Sequence, residues 1–275
     1  MRIQFQKTYG LLCCLLTLSL GGCASLGAKE PSDEEINAEA AKAYTEVKAK
    51  SKVSSDPSWN EIVNRVAKRI EVASGENFQW EVTVIDSPEV NAWCMPGGKI
   101  AVYTGILPVV KTEGALAAVL GHEVAHAVRR HGKQQYARAI NDQYAGLAIG
   151  AATVLGGQVL CKTDTCRTLT AVGGAGAGFA ITFFELKYSR GDETEADKYG
   201  QEYMAKAGYD PAESIILWDR MSQANKGSSP PEFLSSHPSD ANRKANLTSW
   251  LPETEALYQK APQKYGVGVS IPPGH

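Results

Sequence analysis

Histidines at positions 122 and 126 bracket a glutamate in the run His122-Glu123-Val124-Ala125-His126. On a helix, residues four apart lie one turn apart on the same face, so both imidazoles can reach one metal ion. Glu123 sits near that face and can accept a proton from water activated at the metal. A catalytic zinc takes a third protein ligand and keeps its fourth position for water. Downstream, Ser189-Arg190-Gly191-Asp192-Glu193-Thr194-Glu195-Ala196-Asp197 forms an acidic helix start whose carboxylates are candidates. Glu193 and Asp197 share a face, whereas Glu195 points elsewhere. Glu193 as ligand and Asp197 as the outer partner of a ligand histidine fit this spacing. A solvated charged helix has the same composition.

The elements that must position these residues follow from periodicity. Leu116, Val119, Leu120, Val124 and Val128 give the Glu113–Arg130 helix an apolar side, and Gly132 ends it. His131 then falls at the helix end as a surface residue, its charge suited to the dipole. A further helical stretch starts near Lys133. Upstream, Asp56-Pro57 opens a helix with Ile62, Val63, Val66, Ile70 and Val72 at roughly helical spacing. Trp80, Val82 and Val84 alternate with polar residues as in a strand, and residues 91–103 read as two strands around Pro96-Gly97-Gly98. The expected fold is α+β, mostly α-helical, with a small antiparallel sheet packed on the active-site helix. Ser189, with Asp192 as capping partner, starts another helix. Asp210-Pro211 starts one over about 212–223, and His237-Pro238 a final one. The tail from Ala261 is Pro/Gly-rich and reads as loose.

The chain of 275 residues carries a net charge of −2 and no basic cluster, which gives no reason to expect a nucleic-acid partner. Arg2 and Lys7 precede the uncharged apolar run Leu11–Leu20, too short to span a bilayer and typical of a secretory signal. It ends in Leu20-Gly21-Gly22-Cys23, which resembles a bacterial lipobox; an ordinary signal peptide or an uncleaved anchor would look similar. The organisation expected is a signal peptide at 1–22, a helical spacer or tether at 23–54 after lipidated Cys23, a catalytic domain at 55–250 and a tail at 251–275. In an oxidising compartment Cys161 and Cys166 can close a small loop or remain two thiols, and Cys94 is a small apolar filler. Residues 145–184 are rich in glycine and alanine, consistent with two buried helices or with membrane-surface contact.

H-E-x-x-H followed by E-x-x-x-D in a later helix resembles metallopeptidase family 48. That family includes the CaaX-prenyl-protein endopeptidases, the HtpX membrane protease and soluble periplasmic lipoprotein peptidases such as LoiP and BepA. The resemblance runs from about Trp59 to Trp250 and is strongest to this last branch. It implies a zincin-like (gluzincin) fold, one Zn2+, His122, His126 and Glu193 as its ligands, Glu123 as general base and Asp197 behind the ligands. It also implies that His237 is an inhibitory fourth ligand or an oxyanion donor, with Arg243 beside the site. The activity implied is endopeptidase cleavage of unfolded or misassembled outer-membrane proteins. The implied location is the periplasmic face of the outer membrane, through the N-terminal lipid and with outer-membrane assembly machinery as a further partner. A chaperone or assembly factor with little turnover is the alternative. An extended substrate would add to the sheet edge expected at Lys99, Ile100, Ala101, Val102 and Tyr103.

Overall fold

The computed structural model describes residues 31–139, 188–224, 232–237 and 242–274. The signal segment, Cys23, the Cys161–Cys166 pair, the glycine-rich stretch and His275 lie outside the described residues.

Helix α1 (Asp33–Lys50) opens on a capping box in which the Ser32 side chain accepts from the Glu35 amide and Glu35 accepts from the Ser32 amide. It is no free spacer. Ile36, Ala40, Ala43 and Tyr44 are buried, and the Tyr44 hydroxyl lies 2.7 Å from Thr83 Oγ1 while donating to the Ile100 carbonyl at 3.0 Å. Helix α2 (Pro57–Ser74) starts where Asp56 caps the Ser58 and Trp59 amides, and it ends at Gly75 with φ 72°. Its apolar face, Ile62, Val63, Val66, Ala67 and Ile70, joins the main core, whereas Val72, expected on that face, is exposed.

Strands β1 (Glu81–Ile85), β2 (Ala92–Met95) and β3 (Lys99–Tyr103) form a sheet in the order β1-β3-β2. β2 and β3 are the expected antiparallel hairpin, with Cys94 opposite Ile100. β1 pairs parallel to β3, Glu81 with Lys99 through Ile85 with Tyr103, so the sheet is mixed and not purely antiparallel. The consequence corrects the expected substrate edge. β3 is the central strand, hydrogen-bonded on both sides, and residues 99–103 have no open edge to offer. The outer edge of β1 is bridged by Val53, with Ser54 N–H donating to the Val84 carbonyl at 2.8 Å. Among the described residues, β2 keeps an open edge.

After α3 (Leu107–Val110), helix α4 (Glu113–Val128) is capped by Thr112, which accepts from the Ala115 amide. Every residue from Glu113 to Ala127 is buried, so α4 is a core helix covered all round, not one with a solvent face. It crosses α5 (Arg190–Lys206) so closely that a Cβ at Gly200 would lie 2.7 Å from the His122 nitrogen. α5 opens on the Ser189–Asp192 capping box the sequence predicts. Then come α6 (Glu213–Ala224), the short α7 (Glu232–Ser236) and α8 (Arg243–Lys260).

Two further expectations change here. His237 follows α7 instead of starting the last helix, which begins at Arg243 and runs past residue 251. The tail is docked, not loose. Tyr265 N–H donates to the Gly208 carbonyl at 2.7 Å, Ile271 N–H to Lys111 at 2.8 Å, and Trp59 Nε1 to the Pro272 carbonyl at 3.0 Å. No described helix is long and apolar enough to cross a membrane.

Candidate metal centre

Helix α4 presents His122 and His126 one turn apart, and their Nε2 atoms are 3.1 Å from each other. Across the Gly121–Gly200 crossing, the first turn of α5 brings Glu193 up to both. Its Oε2 lies 3.5 Å from His122 Nε2 and its Oε1 3.4 Å from His126 Nε2. His237 arrives from the end of α7, with Nδ1 3.2 Å from His122 Nε2 and 3.0 Å from Glu193 Oε1. One ligand atom from each of these four buried residues falls within 4.8 Å of the others. Four donors placed tetrahedrally at zinc–nitrogen distances would sit about 3.3 Å apart. The contacts of 3.0 to 3.5 Å, counted with either oxygen of Glu193, and a widest spacing within 4.8 Å leave room for a zinc-sized ion to draw the four together.

Charge gives an independent test of fit. Glu123, Glu193 and Asp197 are buried here beside one guanidinium, Arg243. With neutral histidines, that leaves an excess of two negative charges, which a divalent cation would neutralise. The protonation of the residues alone shows the same imbalance. Burial disfavours a charged His122, but the Asp197 and Glu193 carboxylates close beside it prevail and raise it to about 9. Burial likewise pushes the Glu123 carboxyl up. Burial would also raise Glu193, but bonds from His122, His126 and His237 outweigh it and hold that carboxyl far below the carboxylate range. His126 goes the other way, its burial lowering it well below the ordinary histidine value.

The surroundings hold this set rigidly. Asp197 Oδ1 lies 2.9 Å from His122 Nδ1, close but not aligned as a hydrogen bond. Arg243 links the two α5 carboxylates, donating through Nε to Asp197 and through Nη2 to Glu193 at 2.6 Å, with its guanidinium 3.7 Å above the Trp218 ring. Its Nη1 has no hydrogen-bond partner among the described residues. Glu123 Oε1 also lacks a hydrogen bond, although His237 Nε2 is 3.3 Å away. Both nitrogens of His237 thus face the chemistry, one toward the ligand atoms and one toward Glu123.

The structure brings His122, Glu123, His126, Glu193, Asp197, His237 and Arg243 together, all seven buried. It separates Lys99–Tyr103 from any open sheet edge. It also shows residues that sequence reasoning missed. Tyr188 stacks on His126 at a centroid distance of 3.9 Å, with only its place just ahead of the Ser189 cap to suggest it. Phe233 packs 4.8 Å from His237. His131, expected at the surface, is 1% exposed and touches His126.

Two histidines of one helix joined by a carboxylate from a second helix, behind a small sheet, define a zincin-like metallopeptidase fold of the gluzincin type. The sequence pattern of Peptidase family M48 matches residues 54–251, and the chain belongs to that family. Family M48 enzymes use zinc, in keeping with the buried cluster. Mitochondrial metalloendopeptidase OMA1 of Schizosaccharomyces pombe is 37% identical over 198 residues, covering 70% of this chain and 53% of that protein. The Saccharomyces cerevisiae OMA1 is 32% identical over 193 residues, or 68% of this chain and 51% of that protein. The beta-barrel assembly-enhancing protease of Escherichia coli is 28% identical over 199 residues, or 70% of this chain and 40% of its own length. The chain spans about half the length, or less, of these curated relatives.

Proposed function

We propose that this chain is a zinc-dependent endopeptidase held latent by its own His237. The observation behind the proposal is the set of four donor atoms within 4.8 Å, with Glu123 beside it. His122, His126 and Glu193 would hold the ion, which supplies Lewis-acid polarisation of a peptide carbonyl and a lowered pKa for water. Glu123 is placed to take the proton of the attacking water and return it to the leaving amine. Asp197 and Arg243 orient His122 and Glu193 from behind. His237, with Nδ1 3.2 Å from His122 Nε2 and 3.0 Å from Glu193 Oε1, would take the fourth position that water needs, so water and substrate would enter only after it swings away. The open edge of β2, residues 92–95, runs beside Glu123, and an extended chain can add to it by main-chain hydrogen bonds. Such contacts read little sequence, which suits unfolded substrates.

The setting we propose is the periplasmic face of a bacterial outer membrane, with misassembled outer-membrane proteins as substrates and their assembly machinery as a partner. The Leu20-Gly21-Gly22-Cys23 sequence supports the anchor, and the likeness to a protein named as a beta-barrel assembly-enhancing protease supports the substrate class. His237 seated among the other three donors also favours a second reading, a chaperone that binds such clients with little turnover.

Cleavage of unfolded casein by the zinc-loaded full chain separates these. Slow cleavage by wild type, faster cleavage by His237→Ala and none by a zinc-replete Glu123→Gln are expected. Stoichiometric zinc in all three with no cleavage in any would overturn the peptidase proposal and leave the chaperone.

A further inference from the structure

His131 and Glu195 lie outside the set of four donors, yet they form a continuous chain with one of its members. His131 Nδ1 is 3.0 Å from His126 Nδ1, and His131 Nε2 is 2.8 Å from Glu195 Oε2. Glu195 is in turn paired with Arg129, whose Nη2 is 2.6 Å from Oε1. The chain runs from the buried centre to a half-exposed carboxylate. We infer that His131 and Glu195 are positioning residues that fix the tautomer and ring plane of His126 for metal binding.

The proton positions follow from the partners. Two ring nitrogens facing each other share one proton, which belongs either to His126 or to His131. Were it on a neutral His131, the lone pair of His131 Nε2 would face a carboxylate oxygen, an acceptor against an acceptor, and a doubly protonated His131 would force the hydrogen of His126 onto Nε2, where a metal ligand carries none. Glu195, paired with Arg129, offers no proton, so His131 carries its hydrogen on Nε2 and accepts at Nδ1. His126 must then carry its hydrogen on Nδ1. That leaves the Nε2 lone pair of His126 free and aimed at His122 and Glu193, as a metal ligand requires. A carboxylate at the protein surface thereby selects the ligand tautomer two residues away.

The backbone is bent to make this chain. α4 ends at Val128, and Arg130 adopts φ 64°, a left-handed conformation rare for a side-chain-bearing residue. That turn returns His131 to the core instead of letting it point to solvent. Arg130 is clamped there, its Nε on Asp33 at 2.8 Å, Nη1 on the Val128 carbonyl at 2.8 Å and Nη2 on Glu76 at 3.0 Å. Strain held by surrounding contacts next to a functional site is the pattern expected where a side chain must be aimed.

This inference rests on the metal reading above, and the test separates the two. The zinc dissociation constant of the full chain is measured by competition with a chromophoric chelator, alongside the melting temperature of the zinc-free protein. His131→Leu removes the acceptor and is expected to weaken zinc about 10- to 100-fold. His131→Asn restores an acceptor near the Nδ1 position and is expected to recover most of that loss. Glu195→Ala, at a half-exposed site that tolerates truncation, is expected to weaken zinc several-fold even if His131→Leu does not fold. A purely structural role would lower the melting temperature of the zinc-free variants and leave their zinc constants alone. Zinc constants within about twofold of wild type for Glu195→Ala and for each folded His131 variant overturn the inference. A wild-type chain that binds no zinc removes the metal reading, and this inference with it.

Discussion

At the scale of residues, the site is built on pairs in which one side chain fixes another. Buried Asp197 lies 2.9 Å from the outer nitrogen of His122. Outer partners of ligand histidines contribute about 10- to 100-fold in metal affinity. Asp197→Asn keeps the shape and loses the charge, so zinc affinity is expected to fall within that range, read by chelator competition. An unchanged affinity would mean that His122 needs no partner. The two histidines and Glu123 are legible in sequence because their geometry is local to one helix, and the i, i+4 spacing singles out Glu193 and Asp197 in the same way. His237 and Arg243 are different. No spacing rule ties them to partners lying 44 to 115 positions upstream, and only resemblance to a family suggests them. His131 misleads a sequence reading because position at a helix end implies solvent, while the left-handed turn at Arg130 is invisible in residue types. Glu195 does point away from the ligands, as spacing predicts, but its target is His131.

At the scale of elements, the crossing of α4 and α5 sets the distance between His122 and Glu193. Gly121 and Gly200 meet there, and a Cβ on Gly200 would come within 2.9 Å of the Gly121 carbonyl carbon and His122 Cα. These are backbone atoms with no room to yield. Gly200→Ala is therefore expected to destabilise the fold by at least about 1–3 kcal/mol, the usual range for overpacking, and to spread the ligand atoms. Thermal unfolding with zinc titration checks both effects, and wild-type values for both would show that the helices can separate freely. A second element-level contact ties α1 to the end of α4. Hydrogen bonds from Lys133 and Arg130 to Asp33 outweigh partial burial and hold its carboxyl below the ordinary value. A depressed carboxyl stabilises fully above its unfolded pKa of about 3.9, and that contribution is lost as pH falls through the lower folded value. Amide exchange in α1, corrected for its intrinsic pH dependence, is expected to accelerate below about pH 4 in wild type. In Asp33→Asn it should already be fast at neutral pH, and equal exchange in the two proteins would count against the clasp. The capped helices were readable because caps are local chemistry. The pairing of β1 with β3 was not, since alternation marks a strand without naming its neighbour.

At the scale of the whole molecule, composition misjudged the ends and long-range packing decided them. The Pro/Gly-rich tail reads as loose, yet it crosses back to Trp59, Lys111 and Gly208 through backbone carbonyls and amides, which no composition reports. The α1 segment reads as a spacer, yet its Tyr44 is sealed against the sheet. The same long-range closure makes metal binding and folding one event. The ligand atoms come from α4, from α5 and from the residue after α7, so unfolding scatters them and zinc binds the folded state alone. Free zinc at 100-fold its dissociation constant then contributes about 2.7 kcal/mol. For a domain of about 150–250 residues each kcal/mol moves the melting temperature by roughly 2–4 °C. Stripping zinc with a chelator should therefore lower the melting temperature by roughly 5–11 °C, and adding zinc back should restore it. Glu123→Gln, which changes none of the four donors, should show the same shift while cutting nothing. His237→Ala, with one donor fewer, should show a smaller one. A melting temperature indifferent to zinc in every form would mean that the four buried side chains do not bind the ion, whatever their spacing.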